Sequence, residues 1–200
     1  MSNKKSLDDY ISDIKNQINS QNYLTALTII ENAIEDYPSQ PSLLINAGNI
    51  YTLHGDKKKA EHYFLKSLSI NDSKEAHNNL STIYLDYGDY EKSSSHAQSA
   101  INLDSNYIDA HYNYALTFER MQDYDNAINS VKQMLKIDNI NSKAFVLLFR
   151  IYQDTCNWDE IDKIGIKLDS LIGDGEEHPF LNISRSDDEK LNYKAALSWE

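Results

Sequence analysis

Internal repetition constrains this chain more than any other feature, because a unit recurring at fixed spacing buries its apolar face by stacking on copies of itself. The segments "SQNYLTA", "HGDKKKA", "YGDYEKS" and "MQDYDNA" align without gaps. In that alignment Gln21, Gly55, Gly88, Gln122 and Cys156 share one column, spaced 34, 33, 34 and 34 residues apart. The units that follow are residues 7–40, 41–73, 74–107, 108–141 and a degenerate 142–172.

Each unit has the apolar spacing of two helices. Residues 41–73 place Leu44, Ala47, Gly48 and Tyr51 on a first helix and Ala60, Phe64 and Ser67 on a second. Residues 74–107 repeat this with His77, Leu80, Ser81 and Tyr84, then Ser93, Ala97 and Ala100; residues 108–141 use His111, Tyr114, Ala115 and Phe118, then Ala127, Val131 and Met134. Small residues sit where helices cross closely and large ones fill the gaps around them. The pattern resembles the tetratricopeptide repeat, which implies an all-α fold, a right-handed superhelix (α-α solenoid) with first helices lining a concave groove. The outer units are less regular, as the ends of a stack must be. Unit 7–40 keeps Ala26, Ile30, Ala33 and Pro38 beside Ile11, Ile14 and Ile18. Unit 142–172 has Phe145, Leu148, Phe149 and Tyr152, then bulky Trp158, Ile161, Ile164, Leu168 and Leu171.

Composition narrows the partners. The formal charge is −12, with 31 acidic against 19 basic residues, and the densest basic run is "KKK" at Lys57–Lys59. Nucleic acid is not an expected partner, since phosphate neutralisation needs a basic face. The longest apolar run, "AFVLLF" at 144–149, is too short to span a bilayer, so no membrane partner is expected. The N-terminal "MSNKKSLDDY" lacks the apolar block of a secretory signal, which makes the cytoplasm the expected location. A single cysteine, Cys156, excludes an intrachain disulfide framework.

No phosphate-cradling glycine loop, nucleophile elbow or metal-spaced cluster is present, so no catalytic residue, metal site or cofactor is expected. His77 and His111, 34 residues apart, occupy the large packing position of the repeat rather than a ligand pattern. The candidate site lies instead on the first helices. Unit positions 4, 7, 8 and 11 cluster on one face, and position 6, nearly opposite, holds Asn46, Asn79 and Asn113. An amide both donates and accepts, as an extended peptide backbone requires, so this column is a candidate backbone-binding ladder. Neighbouring groove positions add Asn49, Asn78, Tyr112, Glu75 and Asp109, with Thr82, Leu116, Asp86 and Arg120 beside them. Asparagine is abundant throughout this chain, and chance placement of such a column stays open as the alternative.

After the repeats, "IGDGEEHPF" marks a linker over 173–185, and "SDDE" at 186–189 opens a final helix, 186–200, as a capping box. That helix reaches the last residue without a stop signal, as a truncated lead-in to a further domain would. Repeats with asparagine at position 6, followed by Cys156, Trp158, Pro179, Phe180 and Ala195 in "CNWDEIDKI", "HPF" and "KAALSW", resemble the SPINDLY-like protein O-linked N-acetylglucosamine transferases. The resemblance implies a solenoid that receives acceptor polypeptides and is joined to UDP-sugar-dependent catalytic lobes outside this chain. The first and fifth units depart from the column, with Ser12 and Leu147 at position 6. The expectation is a protein–protein interaction module binding extended peptide segments. Its alternatives are the recruiting region of a glycosyltransferase and a purely structural scaffold, and a homodimer stays open.

Overall fold

The structure is a computed structural model that describes residues 5–161 together with 163 and 164. The expected linker 173–185, the expected helix 186–200 and Leu168, Leu171, Pro179, Phe180 and Ala195 lie outside the described residues. The described elements are all helical: α1 (Leu7–Asn19), α2 (Tyr23–Asp36), α3 (Pro41–His54), α4 (Lys57–Leu68), α5 (Lys74–Tyr87), α6 (Tyr90–Leu103), α7 (Ile108–Arg120), α8 (Tyr124–Ile137) and α9 (Ser142–Asp154). The all-α repeat architecture expected from the sequence is what forms. The chain divides into two compact units, Met1–Ser130 and Val131–Glu200. None of the helices among the described residues is long and apolar enough to cross a membrane.

In the first unit each helix packs on its sequence neighbours, and the first helices also touch one another, α3 on α5 and α5 on α7. The small positions are fully buried: Ala26, Ala33, Ala47, Ala60, Ala97, Ala100 and Ala115 have no exposed surface. Gly48 shows why. A β-carbon there would stand 2.5 Å from the Phe64 ring, so α3 and α4 cross at a distance that only glycine permits. The buried face is wider than positions 4, 7, 8 and 11. Positions 3 and 10 are buried too, with Leu43 and Ile50, Ala76 and Ile83, and Ala110 and Thr117, because each first helix packs on its own second helix and on its neighbours as well.

The inter-helix turns explain the aligned column. Gly55 and Gly88 are left-handed at φ 89° and 76°, and Gln21, Gln122 and Cys156 adopt the same region at 57°, 60° and 53° without being glycine. The residue after each one turns the chain into the next helix. Asp56 and Asp89 accept from the backbone N–H of Lys59 and Lys92, and Asp123 from that of Asn126. Their own N–H groups donate back to Tyr51, Tyr84 and Phe118 carbonyls at 2.9 Å, closing the preceding helix in a Schellman pattern.

Two middle repeats carry the same aromatic arrangement. Tyr51 stacks on Tyr63 at 5.4 Å, lies under the Lys59 ammonium and donates to Glu31 of the previous repeat at 2.8 Å. Tyr84 stacks on His96 at 5.3 Å, lies under Lys92 and donates to Glu61 at 2.7 Å. Burial, then the hydrogen bond to the carboxylate, pushes both phenols well above their ordinary range. The hydroxyls satisfy a polar tip that packing would otherwise strand, and they tie consecutive repeats together.

In the second unit α9 opens with Asn141 accepting from the Ala144 N–H. It buries Ala144, Phe145, Leu147, Leu148, Phe149, Ile151 and Tyr152. Of the bulky residues expected to pack after α9, Ile161 and Ile164 are buried while Trp158 is 61% exposed.

Candidate functional site

The predicted binding residues lie on α3, α5 and α7, where Asn49, Glu75 and Asp109 are exposed, Asn46, Asn79 and Tyr112 half-buried, and Asn78 and Asn113 buried. Proline at the first position opens α3, and Ser73 caps α5 by accepting from the Ala76 N–H. Glu75 and Asp109 lie exposed in the first turns of α5 and α7, where a carboxylate complements the helix N-terminus.

The three column asparagines are not equivalent. Asn46 is half-buried on α3. Asn79 is also half-buried, and its Nδ2 donates to Asn49 Oδ1 on α3 at 2.8 Å. Asn113 is only 8% exposed, and its Nδ2 lies 2.9 Å from Asn78 Oδ1, 2.9 Å from Thr82 Oγ1 and 3.3 Å from the Asn78 carbonyl oxygen. Position 6 therefore flanks the seam between adjacent first helices. Asn78, outside the column in the sequence, is the acceptor that holds Asn113 in place. A neighbouring helix supplies this difference, which a helical wheel drawn for one helix does not contain.

Behind Asn113 runs a buried hydroxyl chain. Ser81 and Ser93 Oγ are 3.2 Å apart, Ser93 and Thr117 hydroxyls 2.7 Å, and Thr117 Oγ1 donates to the Asn113 carbonyl at 2.8 Å. Each hydroxyl has one proton, so a complete assignment runs from Ser81 through Ser93 and Thr117 to Asn113. Each hydroxyl of the chain is satisfied, which is the condition under which a buried polar network rigidifies a site instead of destabilising it.

Beside Asn113 a cleft of about 660 Å³ opens between α5, α6 and α7. Its walls include Leu85, Leu116, Tyr112 and the two tyrosines that flank the Gly88 turn, Tyr87 and Tyr90. Arg120 stands at the cleft, as does Asp86, whose carboxylate pairs with Lys57 at 2.7 Å. The sequence pointed to Tyr112, Leu116 and Arg120 through their place on α7. Leu85, Tyr87 and Tyr90 were missed, and the signal for the tyrosines is the aromatic pair around the turn in "DYGDY".

The histidines serve packing contacts. His111 is buried with Nε2 2.9 Å from the Ser105 carbonyl. His77 Nδ1 meets His96 Nδ1 at 2.8 Å, and its Nε2 donates to Asp72.

The tetratricopeptide repeat family model matches residues 41–74, 74–107 and 108–141. No curated protein matches the sequence. Among solved structures, MamA from Desulfovibrio magneticus RS-1 superposes with a TM-score of 0.76 at 14% identity, covering 85% of this chain and 97% of that one. PilF of Pseudomonas aeruginosa gives 0.78 at 15% identity, covering 96% and 87%. YrrB, described as a TPR protein with an unusual peptide-binding site, gives 0.66 at 18% identity, covering 98% and 94%. At these identities the likeness is one of fold. The family match over residues 41 to 141, just over half of the 200, rests on the same repeats whose helices and turns the structure displays, and the chain belongs to the tetratricopeptide repeat family.

Proposed function

We propose that the first unit is a protein–protein interaction module that holds extended polypeptide segments along α3, α5 and α7. The observation that carries this reading is the row of amides on adjacent first helices, anchored to one another by Asn79–Asn49 and Asn113–Asn78, beside an aromatic cleft. An amide held by one group keeps its other available, so Asn49 retains its N–H donors and Asn79 its carbonyl for a peptide backbone. Restraint before binding reduces the entropy lost on association. The peptide-binding site named for YrrB supports the class of ligand. The narrower reading, a recruiting region for a protein O-glycosyltransferase, rests on the sequence resemblance alone and is not adopted.

The test separates binding from stability. Asn49→Ala with Asn79→Ala should weaken a bound ten-residue peptide about threefold to tenfold, measured by fluorescence anisotropy. The Tm should move by no more than about 2 °C, since surface substitutions stay within about 0.5 kcal/mol each. Unchanged affinity in the double variant would remove the amide row from the binding site. Asn113→Ala is the wrong probe for this purpose, because it strips a buried donor from three acceptors and destabilises the α5–α7 seam.

A further inference from the structure

Arg120 makes no ion pair among the described residues, although Asp86 on the same cleft is neutralised by Lys57. The cleft thus carries one uncompensated positive charge on a protein of net charge −12. Asn113 adds a second, independent feature. Its Nδ2 faces a backbone carbonyl that can only accept, which fixes the orientation of the amide. Its Oδ1 receives no donor among the described residues, on a side chain more than nine-tenths buried that lines the same cleft. Buried acceptors are ordinarily satisfied, so this one is a place for an incoming N–H. The rest of the wall is leucine and tyrosine, suited to an apolar or aromatic side chain. A volume of about 660 Å³ falls within the range of ligand pockets and accommodates two side chains of a peptide.

We propose that this cleft is a specificity pocket for an acidic peptide segment pairing a bulky apolar residue with an adjacent Asp or Glu. The inference rests on the peptide-binding reading above and names what that groove selects. The side-chain carboxylate meets the Arg120 guanidinium, the apolar side chain lies against Leu85, Leu116 and the tyrosine rings, and a backbone N–H reaches Asn113 Oδ1. The carboxylate belongs to a residue within the segment rather than to a chain end, because the amide row on α3 and α5 and the cleft at α7 lie on consecutive first helices, along which a bound chain continues. The negative charge of the whole protein does not forbid this, since charges beyond about 8 Å are screened at physiological ionic strength while the contact with Arg120 is not.

The experiment uses acetylated, amidated ten-residue peptides with one Phe-Glu pair in a Gly-Ser-Ala background, titrated at 0.15 M salt into the full chain. The Phe-Glu peptide should bind about threefold more tightly than its Phe-Gln analogue and about tenfold more tightly than its Ala-Glu analogue, and Arg120→Gln should abolish the Glu-over-Gln preference with the Tm unchanged. Equal binding of the Glu and Gln peptides to the native chain, or a preference that survives Arg120→Gln, overturns the inference and leaves the peptide-binding reading standing. No binding by any peptide overturns both. A Phe-Gln peptide with a free C-terminal carboxylate that binds as tightly as the Phe-Glu peptide overturns the assignment to a side-chain carboxylate.

Discussion

Gly88 and Gln122 occupy the same left-handed turn position in consecutive repeats, so substitutions there isolate backbone conformation from packing. A β-carbon at Gly88 would meet nothing within 4 Å, which leaves only the cost of holding an L-residue at φ 76°. That cost is about 1–2 kcal/mol, partly offset by the lower entropy of the unfolded chain. Gly88→Ala should therefore destabilise by about 1 kcal/mol and lower the Tm by about 2–4 °C, while Gln122→Gly should raise stability by about 0.5 kcal/mol, both read by thermal or urea unfolding. A Gln122→Gly variant less stable than the native chain would show that its side chain makes a contact that outweighs the strain. The column itself was legible in the sequence because residue identity repeats. That glutamine and cysteine share the glycine conformation was not, since neither residue signals a positive φ and the Schellman hydrogen bonds of the surrounding turn impose it.

At the level of elements, α5 and α6 are joined by a contact that is sensitive to protons. His96 is pressed between Tyr84 and His77, and burial first, then the neighbouring His77, lowers its pKa from the ordinary 6.5 to about 4. Lys92 pushes in the same direction and Glu61 opposes it, without reversing the shift. Because the folded value lies below the unfolded one, the unfolded chain binds more protons between about pH 6.5 and 4. The stability that neutral His96 contributes is complete above about pH 6.5, falls as pH drops through this window and is fully lost below about 4. The drop in Tm from pH 7.5 to 4.5 should be smaller in His96→Gln than in the native chain, a difference of a few degrees at most because the ring is only partly buried. Equal drops would remove His96 from the acid response. The sequence placed His77 at a packing position correctly. Its partner was invisible there, because His96 lies 19 residues away on the second helix and the pair forms only when α5 and α6 pack.

Over the molecule as a whole, a charge of −12 on 200 residues makes self-repulsion a cost of folding that salt relieves. The ion pairs among the described residues, such as Lys57–Asp86 and Lys92–Asp89, lie at or near the surface and contribute little each, so screening them loses less than screening the repulsion gains. Raising sodium chloride from about 0.01 to 0.15 M, which shortens the Debye length from about 30 to 8 Å, should raise the Tm by a few degrees; a fall would mean that paired charges dominate. The sequence by itself determined the repeat length, the helical content, the small residues at the crossings and the family, because each is a local spacing rule written once per unit and then repeated. Tertiary structure alone decided which groove residues are free to act. Asn79 and Asn113 have the same residue type and register, yet one bridges to Asn49 at a half-buried position and the other is locked under Asn78 and Thr82. The cleft at Arg120 likewise exists only where three helices meet. A hydrogen bond or a cavity between helices depends on the distance separating them, and that distance is set by packing, which no single helix encodes.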